Sequence, residues 1–386
     1  MNNRVYFDNA ATTPVSDEVV QAMLPYLREQ FGNPSSIYSY GREARLAVEK
    51  ARKKVAGLLN TKSHCIYFTS GGTESNNMAI TIAVRDLGCR HIITSPIEHH
   101  AVLHSVDHVA EEHNVSKSFV SLGPDGTIDY ENLETLLLTQ SKQTTRCLVT
   151  LMNANNETGA ITNIRKVGEI CRKYDAVFHS DAVQMVGHYP IDLSNIFIHF
   201  LSASGHKFHG PKGTGILYVK ENRGIKPLIF GGGQEKNLRA GTENVHGIIG
   251  FAKALETAME NFEHDRRHIT QLRNDLLSSL KKSAKDISFN SPIDCLYNIV
   301  SVNFPRTSDT ESMVLRLDQD NICVSGGSAC SSGNPSHVMA ALGHEDRFVT
   351  IRFSFSRYNS SDEVNKVANA IANIVNAGHS TLTHPV

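Results

Sequence analysis

The sequence predicts an α/β protein: a large, mainly parallel sheet covered by helices, followed by a smaller α+β region. Three observations predict it. Short apolar runs at 65–69, 91–94, 146–152, 176–180 and 197–203 alternate with helical stretches near 74–87, 100–113 and 163–174, the order a parallel sheet covered on both faces requires. A long helical stretch at 245–283, GIIGFAKALETAMENFEHDRRHITQLRNDLLSSLKK at its centre, then interrupts the alternation and reads as one broken helix bridging two domains. After it the pattern changes to strand-like YNIVSVNF, a helix near 310–318, ICVS and a last helix at 361–377.

The remaining elements follow in order. SDEVVQAMLPYL has helical apolar spacing and opens with Ser16 as its N-cap. A second helix covers about 41–59, and GTGILYVK at 213–220 reads as one further strand. No internal repeat, low-complexity tract or linker interrupts the chain. We expect a large domain at 15–260 and a small domain made of 1–14 and 261–386.

The chain has 386 residues, 40% hydrophobic and 20% charged, with a formal net charge of -1. That length supports a large and a small core. The charge balance offers no basic field for nucleic acid. The first residues, MNNRVYFDNA, contain no apolar segment of the secretory kind. No run approaches the roughly 18 apolar residues of a membrane helix. The expected location is the cytoplasm.

Of seven cysteines, no two form a C-x-x-C pair, so neither a disulfide framework nor a zinc site is expected. Cys65 and Cys147 sit in apolar runs and read as small buried hydrophobes. Cys330 differs, standing among small and polar neighbours in SGGSACSSGN.

Seven segments carry chemistry-bearing residues. SGGTESNN (70–77) follows a strand and opens a helix, where free N–H groups and the helix dipole favour an anion. Gly71 and Gly72 allow close approach and the Thr73 hydroxyl adds a bond; a plain glycine turn with a helix cap is the other reading. HSDAVQ (179–184) puts Asp181 near the C-terminal end of a strand, the edge where open α/β sheets bind ligands. Asp181 there partners a pyridinium nitrogen or caps a helix, and Gln184, three residues on, reaches a ring hydroxyl.

SASGHKFHGPKGTG places Lys207 just after a strand, where a lysine can bond an aldehyde cofactor covalently. Lys212 is the competitor in the same segment; Lys207 stands closer to the strand end. Ser204 and His206 flank it and can serve a phosphate and proton transfer. In EHHAV, His99 sits at a strand-to-helix turn, where an imidazole can stack on an aromatic ring. In NANNETG, Asn156 reads alone as a turn residue. The Cys330 loop is mobile by composition and suits a thiolate that takes an atom at one place and delivers it at another. Arg352, mid-strand in VTIRFSFSR, suggests a carboxylate ligand held in a bidentate fork, or an internal salt bridge.

Together these segments resemble the cysteine desulfurases of the class V aminotransferase-like (fold type I) PLP family. The resemblance runs over nearly the whole chain: DNAATTP at 8–14, FGNPSS at 31–36, FTSGGTESNN at 68–77, EHHAV at 98–102, NNETG at 155–159, HSDAVQ at 179–184, SGHKFHGPKGTG at 204–215, GGGQEKNLRAGTEN at 231–244, GGSACSSG at 326–333 and IRFSFSR at 351–357. The SGGSACSSG form is similar to the group with a long mobile cysteine loop.

The resemblance implies a PLP fold type I architecture with a seven-stranded sheet. It implies pyridoxal 5′-phosphate (PLP) as cofactor and L-cysteine as substrate, converted to L-alanine with the sulfur passed to an acceptor protein. By resemblance, Lys207 is the Schiff-base lysine, Asp181 pairs with the ring nitrogen, Gln184 with the ring hydroxyl, and His99 stacks on the ring. Gly72, Thr73, Ser204 and His206 hold the phosphate, with Thr242 from the other subunit of a homodimer. Asn156 and Arg352 bind the substrate carboxylate, and Cys330 carries the persulfide. The alternatives are a selenocysteine lyase or aminotransferase of the same fold, or a non-catalytic PLP-binding partner protein. The chain departs from the family at Tyr38, where a histidine is frequent, at Lys236-Asn237, in a short segment from Cys330 to Pro335, and in a C-terminus, THPV, lacking the tail that docks an iron–sulfur scaffold. These departures bear on the acceptor rather than on the chemistry.

Overall fold

A computed structural model of the chain describes residues 4–143, 145–326, 336–344 and 347–377. Its centre is a seven-stranded sheet. In spatial order the strands are Ile66–Thr69, Gly215–Val219, Phe200–Ser204, Val177–Asp181, Cys147–Thr150, His91–Thr94 and Ser116–Phe119. The last five run parallel to one another; Gly215–Val219 is antiparallel to both of its neighbours.

The strands read as continuous apolar runs because both faces are covered. Tyr67, Leu148, Val177, Phe200 and Leu217 pack on one face with Met78 and Ile82 of the helix Gly72–Arg85 and Val102 and Val106 of the helix His100–Glu112. Their chain neighbours Ile66, Phe68, Val149, Phe178, Leu201 and Ile216 point to the other face. There they meet the helices Ser39–Leu58, Ile164–Lys173 and Val245–Glu260 through Val48, Val167 and Phe251.

A second core surrounds a three-stranded antiparallel sheet. Ile299–Pro305 is its middle strand, between Phe348–Ser354 and Ser288–Phe289. The helices Phe262–Ser283 and Ser361–Ala377 cover it through Leu272, Leu276, Val367 and Ile371. The first described residues join this core: Val5–Tyr6 pairs in parallel with Ile322–Cys323, and Asp8 bridges to Ser354.

The long helical stretch breaks at Asn261, which ends one helix and begins the next. Ser16 stands at the N-cap of Asp17–Arg28 as expected, but its hydroxyl makes no capping bond. The elements with no counterpart in the strand and helix pattern read from the sequence include one strand and one long helix. Ser116–Phe119 is a largely exposed edge strand, and Tyr130–Ser141 is a helix capped by Asp129.

Candidate active site

The C-terminal ends of the parallel strands open onto a cavity of about 250 Å³. Its wall includes Gly72, Thr73, His99, Asn156, Asp181, Gln184, Ser204, His206, Lys207 and Arg352. Ten residues singled out in the sequence therefore line one space. Six further wall residues, Ala10, Ala11, Asn76, Met152, Ala154 and Val183, carry no role in the sequence reading.

One side of the cavity is built by the large sheet. Val177–Asp181 ends in Asp181, 6% exposed. Its carboxylate accepts from Asn76 Nδ2 at 2.6 Å and from the Val183 N–H at 3.0 Å. The second bond closes a local turn; no helix follows Asp181, so the helix-cap reading does not hold, and Asp181 faces the cavity. Beneath it His179 is fully buried, in contact with Thr150 at 2.8 Å and Ser202 at 3.1 Å, and burial pushes its imidazole down to about 3.

Phe200–Ser204 delivers the lysine in the same way. A short 3-10 turn, Gly205–Lys207, follows the strand and directs Lys207 inward, where Nζ donates to the carbonyls of Ala10 at 2.7 Å and Ala11 at 2.8 Å. Lys212 is exposed and lies off the cavity wall. His206 Nδ1 lies 3.1 Å from Thr12 Oγ1, and burial, with Lys207 and Lys212 nearby, pushes its imidazole down to about 4.

The glycine turn closes this side. Gly71 has φ +155°, and a Cβ on Gly72 would come within 2.6 Å of Val183. The helix Gly72–Arg85 thus begins with its first N–H groups against the cavity, an arrangement suited to an anion.

His99 is the N-cap of the next helix; its Nδ1 accepts the Ala101 N–H at 3.0 Å, which leaves Nε2 as the other ring nitrogen for the cavity. Burial holds this imidazole below its ordinary range, against the opposing pull of Asp181. Glu98 beside it is fully buried; burial, with Asp181 adding to it, raises its carboxyl well above the usual range. It accepts the Met152 N–H at 2.7 Å. Sequence reasoning missed Glu98, although it stands in the same EHH segment.

The opposite side of the cavity comes from the smaller sheet and from loops. Arg352, 1% exposed in Phe348–Ser354, donates to the Asn156 carbonyl at 2.7 Å and to Asp8 Oδ1 at 2.7 Å. The internal salt bridge expected of Arg352 is present, and the residue also lines the cavity. Its Nε is buried without a hydrogen-bond partner among the described residues.

Two expectations stand apart from this space. Thr242 lies in a separate cavity with Ser70, Arg239 and Glu243. Cys330 lies outside the described residues. The described segment before it ends at Gly326, just after Ser325, whose backbone pairs with that of Arg352. The described segment after it begins at Ser336, whose hydroxyl donates to buried Glu157. The six described cysteines are all free. Among the described residues no group of three or more His, Cys, Asp or Glu is arranged to hold a metal.

The comparisons agree with this geometry. The family model for aminotransferase class-V matches residues 5–367. A "Cysteine desulfurase IscS" from Dictyoglomus turgidum is 43% identical over 383 residues, covering 97% of this chain and 95% of its own. Another, from Methanosarcina thermophila, is 44% identical over 381 residues, covering 97% and 92%. Among solved structures, a NifS-like protein superposes with a TM-score of 0.88 at 38% identity, covering 97% of this chain and all of that one.

A cavity of this build at the C-terminal edge of such a sheet defines a PLP-dependent fold type I enzyme, and the chain belongs to the class-V aminotransferase family. Within that family it is a cysteine desulfurase.

Proposed function

We propose that the cavity holds PLP covalently at Lys207 and takes sulfur from L-cysteine, which Cys330 receives as a persulfide for an acceptor protein. The observation that carries this reading is the convergence of Lys207, Asp181 and Arg352 on one space. The residues present fit the cofactor. Gln184 Oε1 and Asn76 Oδ1 are buried without partners among the described residues, which leaves polar groups for a ligand. Asp181 is a buried carboxylate suited to a protonated ring nitrogen, and the turn at Ser70–Thr73 offers N–H groups to the phosphate. Ser204 and His206 would add phosphate contacts beside that turn, Gln184 would meet the ring hydroxyl, and His99 would lie against the ring. PLP supplies an electron sink that makes the α-proton of the substrate removable.

The rest is work for the chain. Arg352 and Asn156 receive the substrate carboxylate, Arg352 through donors not committed to Asp8 and the Asn156 carbonyl. Lys207 Nζ, which would hold PLP until substrate arrives, would then remove the α-proton. His99, neutral near pH 7, is placed to move a proton between substrate and cavity. The Cys330 thiolate attacks the substrate sulfur; an S–S bond forms, the C–S bond breaks, and its electron pair goes to carbon, which is protonated as alanine. Cysteine and the Cys330 thiol become alanine and a Cys330 persulfide, so no outside oxidant or reductant is needed.

We also propose the division into a large domain at 15–260 and a small one of 1–14 and 261–386, each sheet having its own core. A homodimer, with Thr242 serving the neighbouring subunit, and a cytoplasmic location complete the reading. No described helix is long and apolar enough to cross a membrane.

Borohydride reduction of the PLP-loaded protein followed by peptide mapping tests the cofactor assignment. Label on Lys207 is expected. Label on Lys212 would overturn it.

A further inference from the structure

The strand that delivers the phosphate turn, Ile66–Thr69, is the edge of the seven-stranded sheet. Its inner side pairs with Gly215–Val219. Its outer side has no neighbouring strand among the described residues, and two ion pairs occupy the backbone groups left open there instead. Arg52 donates to the Ile66 carbonyl at 2.9 Å. Glu235 accepts the Phe68 N–H at 2.9 Å, and Glu74 accepts the Ser70 N–H at 2.9 Å. Arg52 and Glu235 pair as a fork at 2.7 and 2.8 Å, each about 3% exposed. Glu74 and Arg239 pair through Nε at 2.8 Å and a terminal nitrogen at 3.2 Å.

The loop that supplies Glu235 and Arg239 is held in an unfavourable shape. Glu235, Lys236 and Asn237 have φ of +43°, +57° and +65°, three successive non-glycine residues in the left-handed region. Such residues persist only where their surroundings over-determine them. Here the Arg52 fork grips the first of them, Lys236 Nζ donates to the Ser63 carbonyl, and Leu238 is buried at 3% exposure. The turn therefore fixes where Arg239 arrives.

Glu74 raises an electrostatic question. It sits in the first turn of the helix whose N-terminus faces the phosphate, and a carboxylate there repels a bound dianion. Arg239 takes both of its oxygens. Burial alone would raise the Glu74 carboxyl, but the bonds from Arg239 and Ser70 hold it below the usual range.

We propose that Glu74 and Arg239 are positioning residues for the cofactor phosphate: the pair locks the Ser70–Thr73 turn to the sheet edge, and Arg239 masks a charge that would otherwise oppose the phosphate. This rests on the reading that the turn holds the phosphate of PLP. The lock and the mask give different results. Arg239→Ala loses both. Adding Glu74→Gln removes the unmasked charge and keeps an acceptor for the Ser70 N–H, so the double variant recovers affinity.

The test is titration of apoprotein with PLP and, separately, with pyridoxal, which lacks the phosphate, alongside melting curves of each apoprotein. Arg239→Ala is expected to weaken PLP about tenfold and leave pyridoxal within about twofold, while Glu74→Gln/Arg239→Ala returns PLP to within about threefold of wild type. Arg239→Gln replaces Arg239→Ala if the latter does not fold, with the same expected direction. Equal losses for PLP and pyridoxal, or a double variant weaker than Arg239→Ala, would overturn the proposal. A wild-type protein with no preference for PLP over pyridoxal would instead remove the phosphate reading itself, and the proposal with it.

Discussion

The two walls of the cavity are made differently. The cofactor wall comes from one sheet: Asp181 and Lys207 follow the ends of adjacent parallel strands, and the phosphate turn follows the edge strand. The substrate wall is assembled from distant parts of the chain. Arg352 lies on the smaller sheet, its ion-pair partner Asp8 is 344 residues away in sequence, and its other partner is the carbonyl of Asn156. A sheet edge gives rigid placement, as the fully buried His179 beneath Asp181 illustrates. A wall shared between two cores can respond to a substrate that bridges them. Changes on the cofactor wall should therefore strike catalysis itself, and changes on the substrate wall should strike binding.

Asp181→Asn should break the contrast most severely. It keeps the shape but removes the charge proposed to meet the ring nitrogen, and kcat should fall by about 10²–10³ with a smaller change in KM. Steady-state kinetics on L-cysteine with absorption spectra of the bound cofactor measure this. A raised KM with unchanged kcat would place Asp181 in substrate binding instead.

Arg352→Lys should do the reverse. The ammonium can keep Asp8 but cannot reproduce the fork, so KM for cysteine should rise about 10- to 100-fold with kcat less affected. A fall in kcat with KM unchanged would mean that Arg352 serves only to join the two cores.

The smallest effect concerns acid. Burial depresses the imidazoles of His179 to about 3 and His188 to about 4. The unfolded chain binds protons at these histidines below about pH 6.5, whereas the folded chain does not until about pH 4. Stability from this source is complete above pH 6.5 and falls as pH drops toward 4. Denaturant titrations across that window should show a loss on the order of a few kcal/mol, lessened by His188→Gln. An equal slope in the variant would show that His188 does not contribute, leaving the loss to the other depressed histidines such as His179 and His206.

The contrast also explains what could be read from the sequence. The cofactor wall is written in short segments, because a strand end and the turn after it are contiguous: SGGTE, HSDAVQ and SGHK each show their residues and their placement together. The substrate wall is not. DNAATTP was visible as a segment, but nothing in it says that Asp8 meets Arg352. Asn76 went unread because its Nδ2 reaches Asp181 across 105 residues. Ser116–Phe119 escaped because SKSF, an exposed edge strand, lacks an apolar run. Tyr130–Ser141 left a usable signal: Asp129 as N-cap, then Leu133 and Leu137 four residues apart and both buried.

The central claim is that sulfur leaves cysteine for Cys330. The direct measurement is alanine and sulfide release by wild type, Cys330→Ala and Cys323→Ala, with persulfide at each cysteine identified by alkylation and mass spectrometry. Cys323 is the control: it pairs with Tyr6 in a short two-stranded parallel ladder, and burial raises its thiol above the usual range. The account predicts that Cys330→Ala still binds PLP and cysteine but loses several orders of magnitude in alanine release, as expected when a covalent nucleophile is removed. Cys323→Ala should retain activity and still carry a persulfide at Cys330. Near-wild-type desulfuration by Cys330→Ala together with loss in Cys323→Ala would contradict it.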